Sequence, residues 1–225
     1  EFERNYKVGE SMEKRVREAI RYLGFGKTAV DDRTFALIIK SFKELEETAD
    51  ERVVYRIFSL QTEPDNKIKI GNMTIDSIHL GKNLRGCQEV ILFGATLGTG
   101  VDMLMKRRSI TDMAGAVVLQ ACAAAMLEEF CDRCVEEISE EFKREGKYLR
   151  PRFSAGYGDF SISYQEEILR MLEASKKIGL TMTKGSMLTP IKSITAVIGV
   201  SDKNISCHRE GCEVCDKTDC DYRRG

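Results

Sequence analysis

The chain has 225 residues with 35 basic and 36 acidic side chains, a formal net charge of −1. That balance, with no contiguous basic tract, excludes a global electrostatic case for nucleic acid, and Arg107-Arg108 and Arg223-Arg224 read as isolated doublets on a solvated surface. A hydrophobic share of 42% beside 32% charged residues is ordinary for a soluble globular protein of one domain, with or without appendages. No apolar run reaches the roughly 18 to 20 residues of a membrane span, and the charged N-terminus lacks a signal-peptide core. The default expectation is a cytoplasmic protein with no membrane and no nucleic-acid partner.

Ser11 to Leu23 reads as a helix, because Met12, Val16, Ile20 and Leu23 fall on one face. Gly24 and Gly26 end it. Asp31-Asp32 can cap a second helix whose apolar stripe is Phe35, Ile38, Ile39, Phe42 and Leu45. Residues 1–50 are therefore expected to form an N-terminal helical pair packed on the core. Val53 to Leu60 is rich in β-branched and aromatic residues, Glu63-Pro64-Asp65-Asn66 is a turn, and Lys67 to Ile70 alternates polar and apolar. Ile75 to Leu84 has no clear period, and a short helix is the reading. Glu89 to Phe93 is a short apolar strand, Gly94 to Gly100 a loop, and Val101 to Arg108 a helix start.

Asp112 to Glu145 is the longest regular segment. Its first half, Ala114 to Leu127, is almost wholly apolar and is expected to be buried on most sides. Its second half carries a one-sided stripe of Phe130, Cys134, Ile138 and Phe142. A non-helical loop follows, then a Ser163-x-x-Glu166 capping box, a helix over Tyr164 to Ile178, a stop at Gly179, and a last strand over Lys192 to Val200. Helices and strands are clustered rather than alternating. That argues for an α+β fold with a twisted, largely antiparallel sheet flanked by helices. The division expected is 1–50 helical region, 51–203 core domain and 204–225 cysteine-rich tail.

The segment with the most chemistry in it is Arg150-Pro-Arg-Phe-Ser-Ala-Gly-Tyr-Gly-Asp159. Glycine lets backbone approach a ligand closely, and an arginine beside it can hold a carboxylate or phosphate with two parallel hydrogen bonds. The loop Gly94-Ala-Thr-Leu-Gly-Thr-Gly100 is a second glycine-bearing segment. Its spacing does not match a dinucleotide fingerprint, and a tight turn against a ligand or partner is the expectation. There is no H-x-E, no G-x-S-x-G and no Walker loop.

Of eight cysteines, four crowd into the tail as Cys207-x4-Cys212-x2-Cys215-x4-Cys220. Four thiols with a C-x2-C at their centre suit a tetrahedral zinc site or an iron–sulfur cluster, and spacing does not choose between them. A reduced tail without metal is the alternative, and His208 is a spare ligand. Cys131 and Cys134 lie on a predicted helix, where core packing explains them. His79 is isolated and is assigned no role.

The run Arg152-Phe-Ser-Ala-Gly-Tyr-Gly-Asp159 resembles the signature loop of the activation (reactivation) domain of cobalamin-dependent methionine synthase. Leu92 to Gly98, Thr111 to Phe130 and Thr183 to Pro190 resemble its strand-and-turn, its alanine-rich helix and the entry to its last core strand. Ala155 and Gly158 depart from it, standing where that family usually carries proline. The resemblance implies the same α+β fold, with S-adenosylmethionine as ligand. It implies that Arg152 pairs with the ligand carboxylate and that Ser154 uses its backbone. Tyr157 would sit near the corrin ring of a docked cobalamin module and take the catalytic position. Glu128 would face the ligand's ammonium or ribose, unless Glu129 takes that part.

The activity implied is reductive methylation of cob(II)alamin carried by a partner, by a stand-alone chain acting on the catalytic and cobalamin-binding modules of methionine synthase or another corrinoid protein. A flavodoxin- or ferredoxin-type reductant would supply the electron, and a tail cluster could pass it on. The alternative is a corrinoid-docking or iron–sulfur electron-transfer module that does not use S-adenosylmethionine. A regulatory S-adenosylmethionine-binding domain without turnover is a third reading.

Overall fold

The computed structural model describes residues 10–25, 30–63 and 67–204. The cysteine tail from Cys207 on, and most of the Glu63 to Asn66 turn, lie outside the described residues. The chain divides into two compact units. The first takes the described residues up to Ala49 together with Met103–Glu129, and the second takes Asp50–Asp102 and the described residues from Phe130 on.

The first unit is helical. Helix α1 (Glu10–Tyr22) buries Val16 and Ala19. Helix α2 (Asp32–Thr48) starts where the sequence marks it: the Asp31 carboxylate accepts from the Thr34 backbone N–H at 2.6 Å. It buries Ile38, Phe42 and Leu45. Arg15 on α1 donates to Glu46 on α2 at 2.7 Å and also to Glu129, so half-buried ion pairs supplement the apolar stripe. Helix α5 (Met113–Arg144) begins in this unit. It is long and apolar enough to cross a membrane by length and composition, contrary to the sequence expectation, yet 67% of its apolar window is buried. Its first turns also differ from expectation, since Ala114 is exposed and Val117 is 57% exposed.

The second unit is built on a six-stranded, wholly antiparallel sheet in the order β3-β2-β1-β4-β8-β5. Its strands are β1 (Arg52–Thr62), β2 (Lys67–Ile70), β3 (Met73–Asp76), β4 (Glu89–Thr96), β5 (Tyr148–Leu149) and β8 (Ser193–Ser201). The α+β architecture, the antiparallel sheet and the N-terminal helical pair are as the sequence implies. Strand β4 is central and buried from Val90 to Thr96, which is why it reads as an apolar run rather than an alternation. Val90, Leu92 and Val197 point into a cluster with Ile68, Ile70, Phe160, Ile168 and Leu172. That side is closed by α3 (Ile78–Asn83), α6 (Gln165–Leu172), α7 (Ala174–Ile178) and the glycine loop. At roughly 25 cal/mol per Å2 of apolar surface removed from water, this cluster is the main driving force for the unit.

Four local expectations are corrected. Gly94, Ala95 and Thr96 are strand, not loop, and α4 (Thr99–Thr111) starts directly after a two-residue turn. A β-carbon on Gly94 would meet Leu172 at 3.2 Å and Val54 at 3.6 Å, so the glycine there answers a packing demand. Ile75 belongs to β3, and only Ile78 onward is helical. The expected Ser163 cap is not made: α6 has Tyr164 at its N-cap position with no side-chain cap, and Ser163 lies in a 3-10 turn, Ile162–Tyr164, that Ser161 caps by accepting from the Ser163 N–H. Glu173, in left-handed geometry at φ 52°, separates α6 from α7 where one helix was expected. Gly179 closes α7 as predicted, with φ 68°. A small two-stranded ribbon, β6 (Thr181–Met182) with β7 (Leu188–Thr189), precedes β8.

Candidate functional site

The glycine loop enters from β5 and is fastened before it turns. Arg150 donates its backbone N–H to Gly199 at 2.8 Å. Its side chain is buried and bonds the Arg85 carbonyl, so Arg150 is an anchor to the sheet rather than a ligand group. Phe153 and Val197 exchange two backbone hydrogen bonds, at 2.9 and 2.8 Å, which ties the loop to β8. The exit is fastened by Phe160, fully buried in the core cluster and stacked on Tyr164 at 5.7 Å between ring centroids.

Between these anchors the chain closes a tight loop. Gly156 N–H reaches the Phe160 carbonyl at 2.7 Å, Tyr157 N–H the Ser154 carbonyl at 3.2 Å, and Phe160 N–H the Tyr157 carbonyl at 3.0 Å. Gly156 has φ +92° and Gly158 φ +55°, left-handed values that a side chain disfavours and proline cannot adopt. Gly158 therefore cannot be the proline of the resembling family without a different loop.

The structure brings Arg152, Ser154 and Tyr157 onto this one loop. The Arg152 side chain is 16% exposed, and its guanidinium donates to the Asp132 carboxylate at 2.8 Å. Asp132 itself is 54% exposed, so the fork meets an acid at the protein surface. Ser154 is half-buried and contributes its backbone carbonyl to the loop's own hydrogen bonding. Tyr157 is 72% exposed, with its ring edge-to-face on Phe153 at 6.2 Å. Chemically, the loop offers a guanidinium suited to a carboxylate, backbone groups at a glycine turn, and an outward phenol.

Glu128 belongs to the first unit, half-buried on α5, where its charge adds to burial in raising the pKa of Tyr22. Its neighbour Glu129 pairs with Arg15. Cys131 and Cys134 are buried along α5, in keeping with packing, and burial pushes the Cys134 thiol up. In the first unit, burial also raises Cys122, to about 12. Cys207, Cys212, Cys215 and Cys220 lie outside the described residues. Among the described residues no group of three or more His, Cys, Asp or Glu side chains could hold a metal.

Sequence reasoning passed over the groups that hold the loop in place. Asp159 accepts from the Ser77 hydroxyl at 2.5 Å, from Ile78 N–H at 2.7 Å and from His79 N–H at 3.1 Å. In return, Asp159 N–H donates to His79 Nδ1 at 3.3 Å. The Ser77 hydroxyl bond, followed by the two backbone bonds, holds the Asp159 carboxyl below its ordinary pKa. One sequence signal was available: Ser77 is an N-cap residue three positions before Leu80, whose N–H it accepts at 3.0 Å. Its pairing with Asp159, 82 positions away, is a tertiary fact.

With the fold and the loop in view, the chain is of the α+β class, an antiparallel sheet flanked by helices. Such a fold is found in a solved structure, the crystal structure of the MetH reactivation domain bound to AdoHcy. It is similar to this chain with a TM-score of 0.58 and 16% identity, over 86% of this chain and 78% of that one. No family model matches the sequence, and no curated protein does. The likeness is one of fold.

Proposed function

We propose that this chain binds S-adenosylmethionine at the Arg152–Asp159 loop and supports reductive methylation of cob(II)alamin on a partner corrinoid protein, the modules of methionine synthase being the partner class. The observation that carries the reading is the shared fold with a reactivation domain solved with AdoHcy, in a chain whose own loop presents Arg152 to a carboxylate. Arg152 would hold the ligand's carboxylate in the manner it now holds Asp132, by charge-assisted hydrogen bonds. The backbone of Ser154 would orient the ligand, and Tyr157, already outward, would face the docked partner. S-adenosylmethionine supplies the methyl group, and an external one-electron donor supplies the electron that takes cobalt from the inactive Co(II) state. The part played by this chain is positional: it binds, orients and excludes water, so proximity accounts for the rate.

Calorimetric titration of the purified chain with S-adenosylmethionine, with Arg152→Ala alongside, tests this. Binding by the wild type that the variant loses supports the reading, and methyl transfer to partner-bound cob(II)alamin is then the assay. One observation favours the alternative of a docking or electron-transfer module that does not use S-adenosylmethionine: Arg152 already has an acidic partner in Asp132. A wild type that binds no S-adenosylmethionine, alone or with a cobalamin-carrying partner, would decide for that alternative.

A further inference from the structure

The most heavily tethered point of the glycine loop is Asp159. Its carboxylate accepts three hydrogen bonds from consecutive residues, the Ser77 hydroxyl and the N–H groups of Ile78 and His79, at 2.5, 2.7 and 3.1 Å. The His79 ring answers by accepting Asp159 N–H on Nδ1 at 3.3 Å. The contact is therefore reciprocal: the loop's carboxylate caps the start of α3, and the first turn of α3 returns a side chain to the loop's backbone.

Gly158 completes the fit. Its φ of +55° turns the chain so that Asp159 faces α3, and a β-carbon at this position would lie 2.4 Å from His79 Nδ1. The glycine is required twice, for the sign of φ and for the space taken by the imidazole. A proline at this position would fix φ near −65° and stiffen the loop covalently. Here hydrogen bonds to a neighbouring helix do the holding, and such bonds can open locally.

We infer that Asp159, His79 and Gly158 form a latch that holds the Arg152-to-Phe160 loop in the conformation that presents Arg152 and Tyr157. They are positioning residues for the proposed ligand site, and the inference rests on that reading only where affinity is concerned. None of the three is in the set Arg152, Ser154 and Tyr157 that would meet the ligand.

The test reads the loop directly in ligand-free protein, by amide hydrogen exchange. Asp159→Leu, which keeps the branched side-chain skeleton and removes both acceptors, should speed exchange at Gly156, Tyr157 and Phe160 by about ten-fold or more while β4 and β8 keep their protection, the signature of local opening. Asp159→Asn retains one acceptor and should restore part of that protection, a graded rescue that loss of bulk packing would not show. If Asp159→Leu unfolds the chain, Gly158→Ala gives the second reading, since it leaves the carboxylate in place and drives a β-carbon against His79. Unchanged loop exchange in the folded Leu variant, or in Gly158→Ala when that is the one to fold, would overturn the latch. Titration with S-adenosylhomocysteine on the same samples separates the two readings. Affinity about ten-fold weaker in the latch variants extends the latch to ligand binding through lost preorganisation. A wild type that does not bind removes the ligand proposal and leaves the exchange result standing.

Discussion

Two glycine-bearing segments stand out in this sequence, Leu92–Gly98 and Arg152–Asp159, and the fold uses their glycines for opposite reasons. Gly94 is extended strand in the middle of the sheet, where a β-carbon would crowd Leu172 at 3.2 Å and already touch Val54 and Leu180. Gly156 and Gly158 stand in a surface loop with φ of +92° and +55°. Both are exposed and both supply the sign of a backbone angle, and Gly158 also leaves the space that the His79 ring takes. The first segment is held by packing on both faces and can carry little chemistry. The second is held at its ends by packing and in its middle by hydrogen bonds, which leaves Tyr157 facing outward and sets Arg152 against the Asp132 carboxylate. A glycine run therefore marks a constraint, of volume at Gly94, of conformation at Gly156 and of both at Gly158.

That contrast can be broken or sharpened by substitution. Phe160→Ala removes the fully buried residue of the loop, which enters the core where Phe153 and Ala155 only pack against it, and should cost about 3 to 5 kcal/mol, read by urea denaturation. A cost below about 1 kcal/mol would mean that the loop is held by its hydrogen bonds alone. Arg152→Ala acts on the loop's chemistry and should weaken S-adenosylmethionine binding by about 1.5 to 3 kcal/mol, the range for a hydrogen bond to a charged group. Normal binding by this variant would take Arg152 out of the site. Gly94→Val overpacks β4 against Leu172 and should cost about 1 to 3 kcal/mol in stability while leaving loop exchange unchanged. A speeding of loop exchange without loss of stability would invert the comparison.

The smallest effect is that of acid on the loop. The Asp159 carboxyl is held below its ordinary value, chiefly by the Ser77 hydroxyl, so its contribution is fully present above the unfolded-state pKa near 4. It is lost as pH falls through the lower, folded-state value. The Ile78 and His79 amide resonances should therefore titrate together at acid pH in the wild type and remain flat in Asp159→Asn. Titration that persists in Asp159→Asn would assign the transition to another group.

Much of the fold was legible because its elements obey local rules. The stripe of Ile38, Phe42 and Leu45, the Asp31 cap, the alternation in Lys67–Ile70 and the one-sided run Phe130, Cys134, Ile138 and Phe142 each specify a period and a face. Where the reading failed, a local signal had two solutions. Ser163 reads as a helix cap, yet a 3-10 turn capped by Ser161 takes up that position and α6 starts without a side-chain cap. Gly94 suited a turn by composition, and its pairing with Val54 and Thr195 made it strand.

For the candidate site, the loop itself and its three side chains Arg152, Ser154 and Tyr157 could be named from the order of residues alone, because a glycine turn with a guanidinium beside it is a local arrangement. The partners of that loop could not be named. Asp132 stands opposite Arg152 because α5 carries it there, and Ser77 and His79 meet Asp159 because the sheet returns α3 to the loop across 80 residues or more. The sequence by itself determined the periods, the caps and the glycine turn, all of which depend on neighbours within a few positions. Only the tertiary structure decided which face Gly94 would fill, which acid would meet Arg152, and that His79 would hold the loop. Those depend on distances across the chain that no local pattern encodes.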